Sequence, residues 1–132
     1  SISVIDRAAT PVTHNFVFRD ADSGKVTLAE PRASGSYVGE NQLQLSNRTT
    51  PSRRNKGEIK LSFPKVVTEV INGVNVDKVL GTSFITVTTD WHESFTETER
   101  NVYLGLVEKL AGPKASQPQA YAALIGVERL TG

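Results

Sequence analysis

Alternation of polar and apolar residues dominates the middle of the chain. Segment 42–48 places Leu43 and Leu45 on one side and polar residues on the other, and segment 58–63 repeats the pattern. Because successive side chains of a strand point to opposite faces, the pattern predicts two half-buried strands. The turn-rich connection 49–55 between them favours an antiparallel pair with one apolar and one polar face.

Shorter strands are predicted before this pair. Alternation at 1–7, 14–19 and 25–29 indicates three of them. Residues 20–24 have the composition of a turn, and the Pro/Gly/Ser-rich segment 30–39 is typical of a loop. The N-terminal part of the chain is therefore predicted to be entirely β-structure.

The second central strand is predicted to continue past Pro64. Proline cannot donate a ladder hydrogen bond, so a bulge or an edge position is expected there. The dipeptide Asn72-Gly73 is the strongest turn signal in the chain, and we expect it to lie in a longer excursion at about 68–79. A regular strand is predicted after it, at 82–89.

Helical spacing replaces alternation after residue 89. Thr96 and Glu99 form the pattern of a capping box, with acidic residues in the first helical turn. Gly112 and Pro113 are predicted to end this helix. Its apolar face consists of the residues that recur at helical spacing, which are Val102, Tyr103, Leu106, Val107 and Leu110.

A second helix is predicted close to the C-terminus. Ser116 is expected to cap it, with Pro118 in its first turn and Gln119 completing a second capping box. Gly126 is expected to end the helix, and 127–132 to form a tail. Strands followed by two helices define an α+β fold class.

The two predicted helices would cover little of the predicted sheet. Helices of about 15 and 9 residues are roughly 22 and 13 Å long, whereas the sheet has five or more strands. The apolar side of the sheet therefore needs further cover, which the helices of a second subunit would supply. The sequence predicts an obligate dimer in which the polar side of the sheet stays open.

Positive charge is concentrated in the central pair of strands. Segment 42–65 carries six basic side chains and one acidic one, a net charge of +5, whereas the whole chain is formally +1. Such a concentration is the footprint of a surface for a polyanion. The alternative is a solvated sheet face whose lysines discourage edge aggregation, and charge alone favours that alternative.

Composition and motifs exclude several other functions. A length of 132 residues predicts one domain, 1–132, and the absence of cysteine excludes disulfides and thiolate metal sites. His14 and His92 are far apart in the sequence, so no metal and no cofactor are predicted. No apolar run of about 18 residues and no signal-peptide pattern occur, so no membrane partner is expected.

No catalytic site is predicted either. Ser46, Ser62 and Ser83 lack a nucleophile motif. The acidic residues within 90–99 are better explained by a first helical turn, where they complement the helix dipole. Because no acid, base and nucleophile converge, the sequence does not predict an enzyme.

Four stretches of sequence resemble a known family. The strand-and-turn pattern KGEIKLSFPKVVTEVINGVNV at 56–76, followed by TSFITVTTD, resembles the coat protein of the small single-stranded RNA bacteriophages, the leviviruses. RAATPVTHNFVFRD near the N-terminus and TETERN at the first helix support the resemblance. It extends over nearly the whole chain and follows the same order of strands before helices.

The resemblance implies a fold and an assembly. It implies an N-terminal β-hairpin and a five-stranded antiparallel sheet followed by two C-terminal α-helices, with a ten-stranded sheet across an intertwined homodimer. Such dimers assemble into an icosahedral capsid in the bacterial host cytoplasm, and the protein resides in the virion. The excursion at 68–79 would pack around the symmetry axes of the shell.

The resemblance also implies an RNA partner. In this family the inner sheet face binds a single-stranded viral RNA hairpin that carries the replicase start site, which represses translation and marks the genome for packaging. Carried over one at a time, the RNA-binding positions are Gln44, Ser46, Arg48, Lys56, Glu58, Lys60, Phe84, Thr86 and Thr88.

Individual roles follow from the same resemblance. Arg48, Lys56 and Lys60 match phosphate contacts. Phe84 takes the place of a tyrosine that stacks on a base, and Thr86 takes the place of an asparagine. The family's pocket for an unpaired adenine falls on Gln44, Ser46, Glu58 and Lys60.

Two positions depart from the family pattern or align loosely. The carboxylate of Glu58 repels phosphate unless it accepts a hydrogen bond from a base amino group or pairs with Lys60 or Arg48. A further contact on the third strand falls on Lys25 or Val26, and Lys25 is favoured because it has the parity of the polar face.

An alternative function is a sheet-based RNA-binding regulatory module that does not assemble. It predicts salt-sensitive binding and a low-order oligomer.

Overall fold

The computed structural model describes residues 1–126, in which six strands precede two helices. The elements are β1 (Ile2–Ile5), β2 (Thr13–Asp22), β3 (Lys25–Glu30), β4 (Asn41–Thr49), β5 (Arg54–Ile71), β6 (Val74–His92), α1 (Glu97–Leu110) and α2 (Pro118–Ile125). The strands form one sheet in sequence order. This order confirms the α+β prediction, and the predicted tail at 127–132 lies outside the described residues.

Two compact units divide the chain. The unit Ser1–Asp90 contains β1 to β5 and nearly all of β6, and both helices belong to the unit that begins at Trp91. In the first unit each strand from β1 to β4 pairs antiparallel with the next one. The sheet is thus a meander of consecutive strands, which its short connections permit.

The alternation predicted for the central strands is confirmed by their register. Leu43 of β4 pairs with Leu28 of β3 and with Leu61 of β5. Directly paired residues lie on the same face of an antiparallel sheet, so these leucines form an apolar row across three strands. Leu28 and Leu43 form a buried core with Phe16 of β2.

The prediction of a long excursion at 68–79 is wrong. β5 continues to Ile71 and β6 begins at Val74, so only Asn72 and Gly73 connect them. Both residues have positive φ, +51° and +78°, as a type I′ turn requires. The turn prediction is therefore correct, but the strands extend to it from both sides.

Residue type explains why the strands persist up to this turn. The segment is rich in valine and isoleucine, which favour the pleated strand. Polar pairs join its two sides, with Thr68 Oγ1 3.2 Å from Asp77 Oδ1 and Lys78 Nζ 3.6 Å from Glu69 Oε1. Pro64 interrupts no bond to β4, since the pairing of β5 with β4 ends at Ser62. The turn predicted at 20–24 is likewise shorter, because β2 continues to Asp22.

The two helices begin in different ways. The capping box of α1 is confirmed, because Thr96 Oγ1 accepts a hydrogen bond from Glu99 N at 3.2 Å and Glu99 Oε1 accepts one from Thr96 N at 3.1 Å. The predicted capping of α2 by Ser116 and Gln119 is wrong. Its N-cap is Gln117, whose side chain makes no capping bond.

A turn before α2 explains this error. The backbone N–H groups of Ser116 and Gln117 both donate to the carbonyl of Pro113, at 3.0 and 3.3 Å. Ser116 therefore lies within that turn, one residue before the position from which a side chain caps α2. Pro118 in the first turn and the left-handed Gly126 at the end of α2 are as predicted.

Gly39 fixes the loop that precedes β4. Its φ is +79°, and a Cβ placed there would lie 2.0 Å from Val66 Cγ2. Gly35 has a similar φ of +75° but no atom within 4 Å of that position. A comparison of substitutions at Gly39 and Gly35 therefore distinguishes the cost of backbone strain, which both share, from the cost of steric overlap, which arises only at Gly39.

Gly39→Ala is expected to destabilise the protein far more than Gly35→Ala. The positive φ should cost about 1–2 kcal/mol in both variants. The overlap with Val66 adds about 1–3 kcal/mol in the first variant alone. Chemical denaturation of both variants measures this difference, and equal midpoints would show that the loop moves aside.

His14 joins the N-terminal hairpin to β3. Its Nε2 lies 2.7 Å from Asp6 Oδ2, and its Nδ1 lies 2.7 Å from Glu30 Oε2. The hydrogen bonds to Asp6 and then to Glu30 raise the pKa of His14. The bond from His14, together with the N–H groups of Val12 and Ala8, lowers the pKa of Asp6.

These shifts predict a stability plateau in the mildly acidic range. The raised pKa of His14 contributes stability below pH about 6.5 that is lost as the pH rises through the folded-state value. The lowered pKa of Asp6 contributes stability above pH about 3.9 that is lost as the pH falls through its folded-state value. His14→Gln should remove the alkaline decline in denaturation midpoint, whereas His92→Gln should preserve it. An unchanged alkaline slope in His14→Gln would contradict the assignment.

Candidate nucleic-acid interface

Cross-strand pairs of polar residues cover one face of β4 and β5. Gln44 pairs with Lys60, Ser46 with Glu58, and Arg48 with Lys56. Because directly paired residues share a face, the structure places all six predicted residues of these strands side by side. We call this surface, with the residues of β3 and β6 on the same side, the polar face.

Phe84 joins the polar face from β6. Lys60 Nζ lies 4.8 Å from the centroid of the Phe84 ring, which places both side chains on the same side of the sheet. The Phe84 side chain remains 58% exposed. Thr86 and Thr88 follow at alternate positions of β6 and therefore share its face. The structure thus brings every predicted RNA-binding residue to one surface.

Lys25 extends the polar face to β3. It pairs with Ser46, whereas Val26 pairs with Leu45 on the apolar side. The preference for Lys25 over Val26 as the β3 position on this face therefore agrees with the register. Thr27, paired with Gln44, completes the β3 side of the surface.

Arg54 is a basic residue of the polar face that the resemblance did not supply. It lies two residues before Lys56 on β5, and its Nε is 2.7 Å from Asp90 Oδ1 of β6. Alternation along β5 was the available signal, since Arg54 has the parity of Lys56 and Lys60. The ion pair was not predictable, because its partners are 36 residues apart.

Acidic residues lie at the margins of the polar face. Asp22 pairs with Lys25, and Asp20 pairs with Thr27. Asp90 lies at the opposite margin, on β6. The positive charge is therefore concentrated on β4 and β5 and bounded by carboxylates on both sides.

Apolar side chains, several of them exposed, line the other side of the sheet. They surround a groove of about 530 Å³. Val4 and Ile59, both in this lining, are 49% and 45% exposed. A contiguous apolar surface of this kind marks an interaction site. We call it the apolar face, and its lining includes Ile2, Val4, Phe16, Leu43, Leu45, Ile59, Leu61 and Phe63.

The first helix also presents apolar side chains to solvent. None of the residues of α1 is buried. Leu106, in the middle of the predicted stripe, is 59% exposed. Near the start of this helix, the ring of Phe95 lies beside those of Trp91 and Tyr103, at centroid distances of 6.3 and 6.1 Å. Among the described residues, each unit therefore carries exposed apolar side chains.

The described residues offer little for metal chemistry or membrane insertion. Residues 1–126 contain no cluster of three or more histidine, cysteine or acidic side chains placed to bind a metal ion. Neither described helix has the length and apolar character needed to cross a membrane.

Comparison with known proteins places the chain in a family. The family model of the levivirus coat protein, which describes the sequences of that family, matches residues 1–127. The capsid protein of Pseudomonas phage PRR1 is 35% identical over 102 residues, which cover 77% of this chain and 76% of that protein. The chain belongs to the levivirus coat protein family, so it is a structural capsid protein of the virion and not an enzyme.

Solved structures agree on the fold. The virus-like particle of bacteriophage ESE058 matches with a TM-score of 0.80 and 18% identity, over 98% of this chain and 96% of that chain. The capsid protein of bacteriophage GA matches with a TM-score of 0.76 and 19% identity, over 98% and 97% of the two chains. The sheet followed by two helices is thus the fold of levivirus coat proteins.

Proposed function

We propose that this coat protein forms a homodimer through its apolar surfaces, assembles into an icosahedral shell and binds a viral RNA hairpin on its polar face. The observation that carries the proposal is the division of one sheet into two open faces. One face is apolar and the other is cationic. Residues 1–132 act together as a single coat domain in this proposal.

The dimer is supported by unpartnered apolar surface on both units. The groove of the apolar face and the exposed stripe of α1 each need cover, and each has the chemistry to cover the other. A two-fold arrangement lets the helices of one subunit cover the sheet of its partner, and the reverse, with one contact made twice. The sheets of the two subunits then lie edge to edge in one continuous layer, as the family resemblance implies.

RNA binding is supported by the charge and geometry of the polar face. Arg48, Lys56 and Lys60 lie within two neighbouring strands, where they can contact successive phosphates. Phe84 offers an exposed ring, and stacking of a base on such a ring contributes about 1–3 kcal/mol. Gln44, Ser46, Glu58, Thr86 and Thr88 supply donors and acceptors for base edges.

Occupation of this site would have two consequences. A hairpin that contains the replicase start site is inaccessible to ribosomes while it is bound, so the dimer represses replicase translation. The same bound hairpin marks the genome for enclosure as further dimers assemble around it. Both consequences follow from one binding event on the inner surface of the shell.

Electron microscopy of the purified protein, with sequencing of the RNA that copurifies, tests the proposal. Closed particles enriched in one viral hairpin region are the expected result. A monomer at high concentration would contradict both dimerisation and assembly. A discrete dimer that binds RNA without forming particles would instead support the non-assembling regulatory module.

A further inference from the structure

Glu58 is a carboxylate without a partner in the middle of a cationic surface. It lies opposite Ser46 and between Lys56 and Lys60 along β5. The structure gives it no hydrogen bond and no ion pair with any residue in 1–126. Lys60 instead lies over the Phe84 ring, 4.8 Å from its centroid. Glu58 is half-buried, so part of its side chain remains accessible to a ligand.

A carboxylate on an RNA-binding surface selects for hydrogen-bond donors. It can only accept hydrogen bonds when ionised, and it repels phosphate. The donors that RNA bases offer in unpaired segments lie on their Watson–Crick edges. Glu58 therefore cannot contribute to binding through the phosphates. Its favourable contacts must be with donors, which are the ribose 2′-hydroxyl groups and the N–H groups of the bases, and only the latter differ from base to base.

Guanine matches two carboxylate oxygens better than the other bases do. Its edge carries two adjacent donors, N1–H and the N2 amino group, which can each donate to one oxygen. Adenine and cytosine offer one amino group beside an acceptor nitrogen, and uracil offers one N–H between two carbonyls. A bidentate contact of this kind discriminates against a wrong base by about five- to hundred-fold.

The neighbours of Glu58 offer groups that match the rest of a guanine base. The remaining group on that edge is the O6 acceptor, which requires a donor. Lys56 and Lys60 lie roughly 7 Å from Glu58 along the strand and on the same face, and lysine donates to guanine O6. Phe84, beside Lys60, provides a ring on which the same base or its neighbour can stack.

We propose that Glu58 is a specificity-determining residue of the RNA site and accepts hydrogen bonds from N1–H and N2–H of an unpaired guanine. This inference rests on the proposed RNA binding by the polar face. The competing explanation is that Glu58 only offsets repulsion among Arg48, Lys56 and Lys60. The two explanations predict opposite changes for guanine when the charge of Glu58 is removed.

Four RNA hairpins test the inference. They share one stem and an all-uridine loop, except for a single loop position that carries guanine, adenine, cytosine or uracil. Wild-type protein is expected to bind the guanine hairpin most tightly. Glu58→Gln should weaken guanine binding about ten-fold, since it converts one of the two acceptor oxygens into a donor. The same variant should strengthen binding of the other three hairpins, because it removes a negative charge.

Each outcome of this titration decides between the explanations. If Glu58→Gln strengthens all four hairpins equally, Glu58 only modulates charge and the inference is overturned, while RNA binding stands. If wild-type protein binds none of the hairpins, both the inference and the proposed RNA binding are overturned. Glu69→Gln is the matched control. It removes the same charge from β5 at a position of opposite parity, where Glu69 lies 3.6 Å from Lys78, and should leave base preference unchanged.

Discussion

Leu106→Asp is expected to abolish dimer formation. Leu106 is 59% exposed in the single subunit and lies in the middle of the apolar stripe of α1. Under the proposed function this stripe is buried against the partner subunit, where an unpaired carboxylate costs several kcal/mol. A penalty of about 4 kcal/mol weakens association roughly a thousand-fold. Analytical ultracentrifugation over a range of concentrations measures the loss.

Asn101→Asp provides the control for this variant. It introduces the same carboxylate into α1, but on the side of the helix away from the stripe, as the helical spacing of 106 and 101 requires. Its dimer should therefore be as stable as that of the wild type. Normal dimers and particles from Leu106→Asp would show that the α1 stripe lies outside the interface.

Lys60→Ala is expected to weaken binding of hairpin RNA while leaving the dimer intact. Lys60 lies in the centre of the polar face, between its β4 partner Gln44 and Phe84. Loss of one phosphate contact and of the cation beside the ring should reduce affinity about ten-fold. It should also lower the slope of log affinity against log salt by about one. Filter binding at several salt concentrations measures both quantities.

Lys65→Ala is the matched control for the RNA experiment. Lys65 lies on the same strand, is exposed, and has the parity of the opposite face. This variant removes the same charge from the chain, so only its position differs. Equal losses in Lys60→Ala and Lys65→Ala would show that net charge, rather than the polar face, governs the affinity.

Alternation made the central sheet predictable from the sequence. A shift of register by one residue would move every leucine of β4 to the solvent side, so the pattern at Leu43 and Leu45 determines both the faces and the pairing. Nine predicted site residues lie on one face for this reason, since each has the parity that alternation assigns to polar positions. Their roles toward RNA came from family resemblance and stay predictions.

Features that depend on distant contacts were not predictable in the same way. Two ion pairs are examples, Arg54 with Asp90 and His14 with Glu30. The partners are distant in the sequence and are brought together only by the register of the sheet. The wrong N-cap prediction for α2 has a local cause, which is a turn that competes with the cap for Ser116. Ser116 has the residue type of an N-cap, but a preceding turn closed on Pro113 occupies its position. The excursion at 68–79 was predicted from its turn dipeptide, whereas the flanking β-branched residues extend the strands.

The Asn72-Gly73 connection has a consequence for a closed particle built from one kind of chain. Subunits in differently crowded surroundings must adjust their shapes, and flexible connections usually absorb such adjustments. A turn of two residues, both held at positive φ, is too short to change its backbone conformation while still connecting the two strands. Any adjustment near the turn must therefore come from bending of the paired strands β5 and β6 as a whole. The bending stiffness of these two strands then limits the curvatures that the particle can adopt.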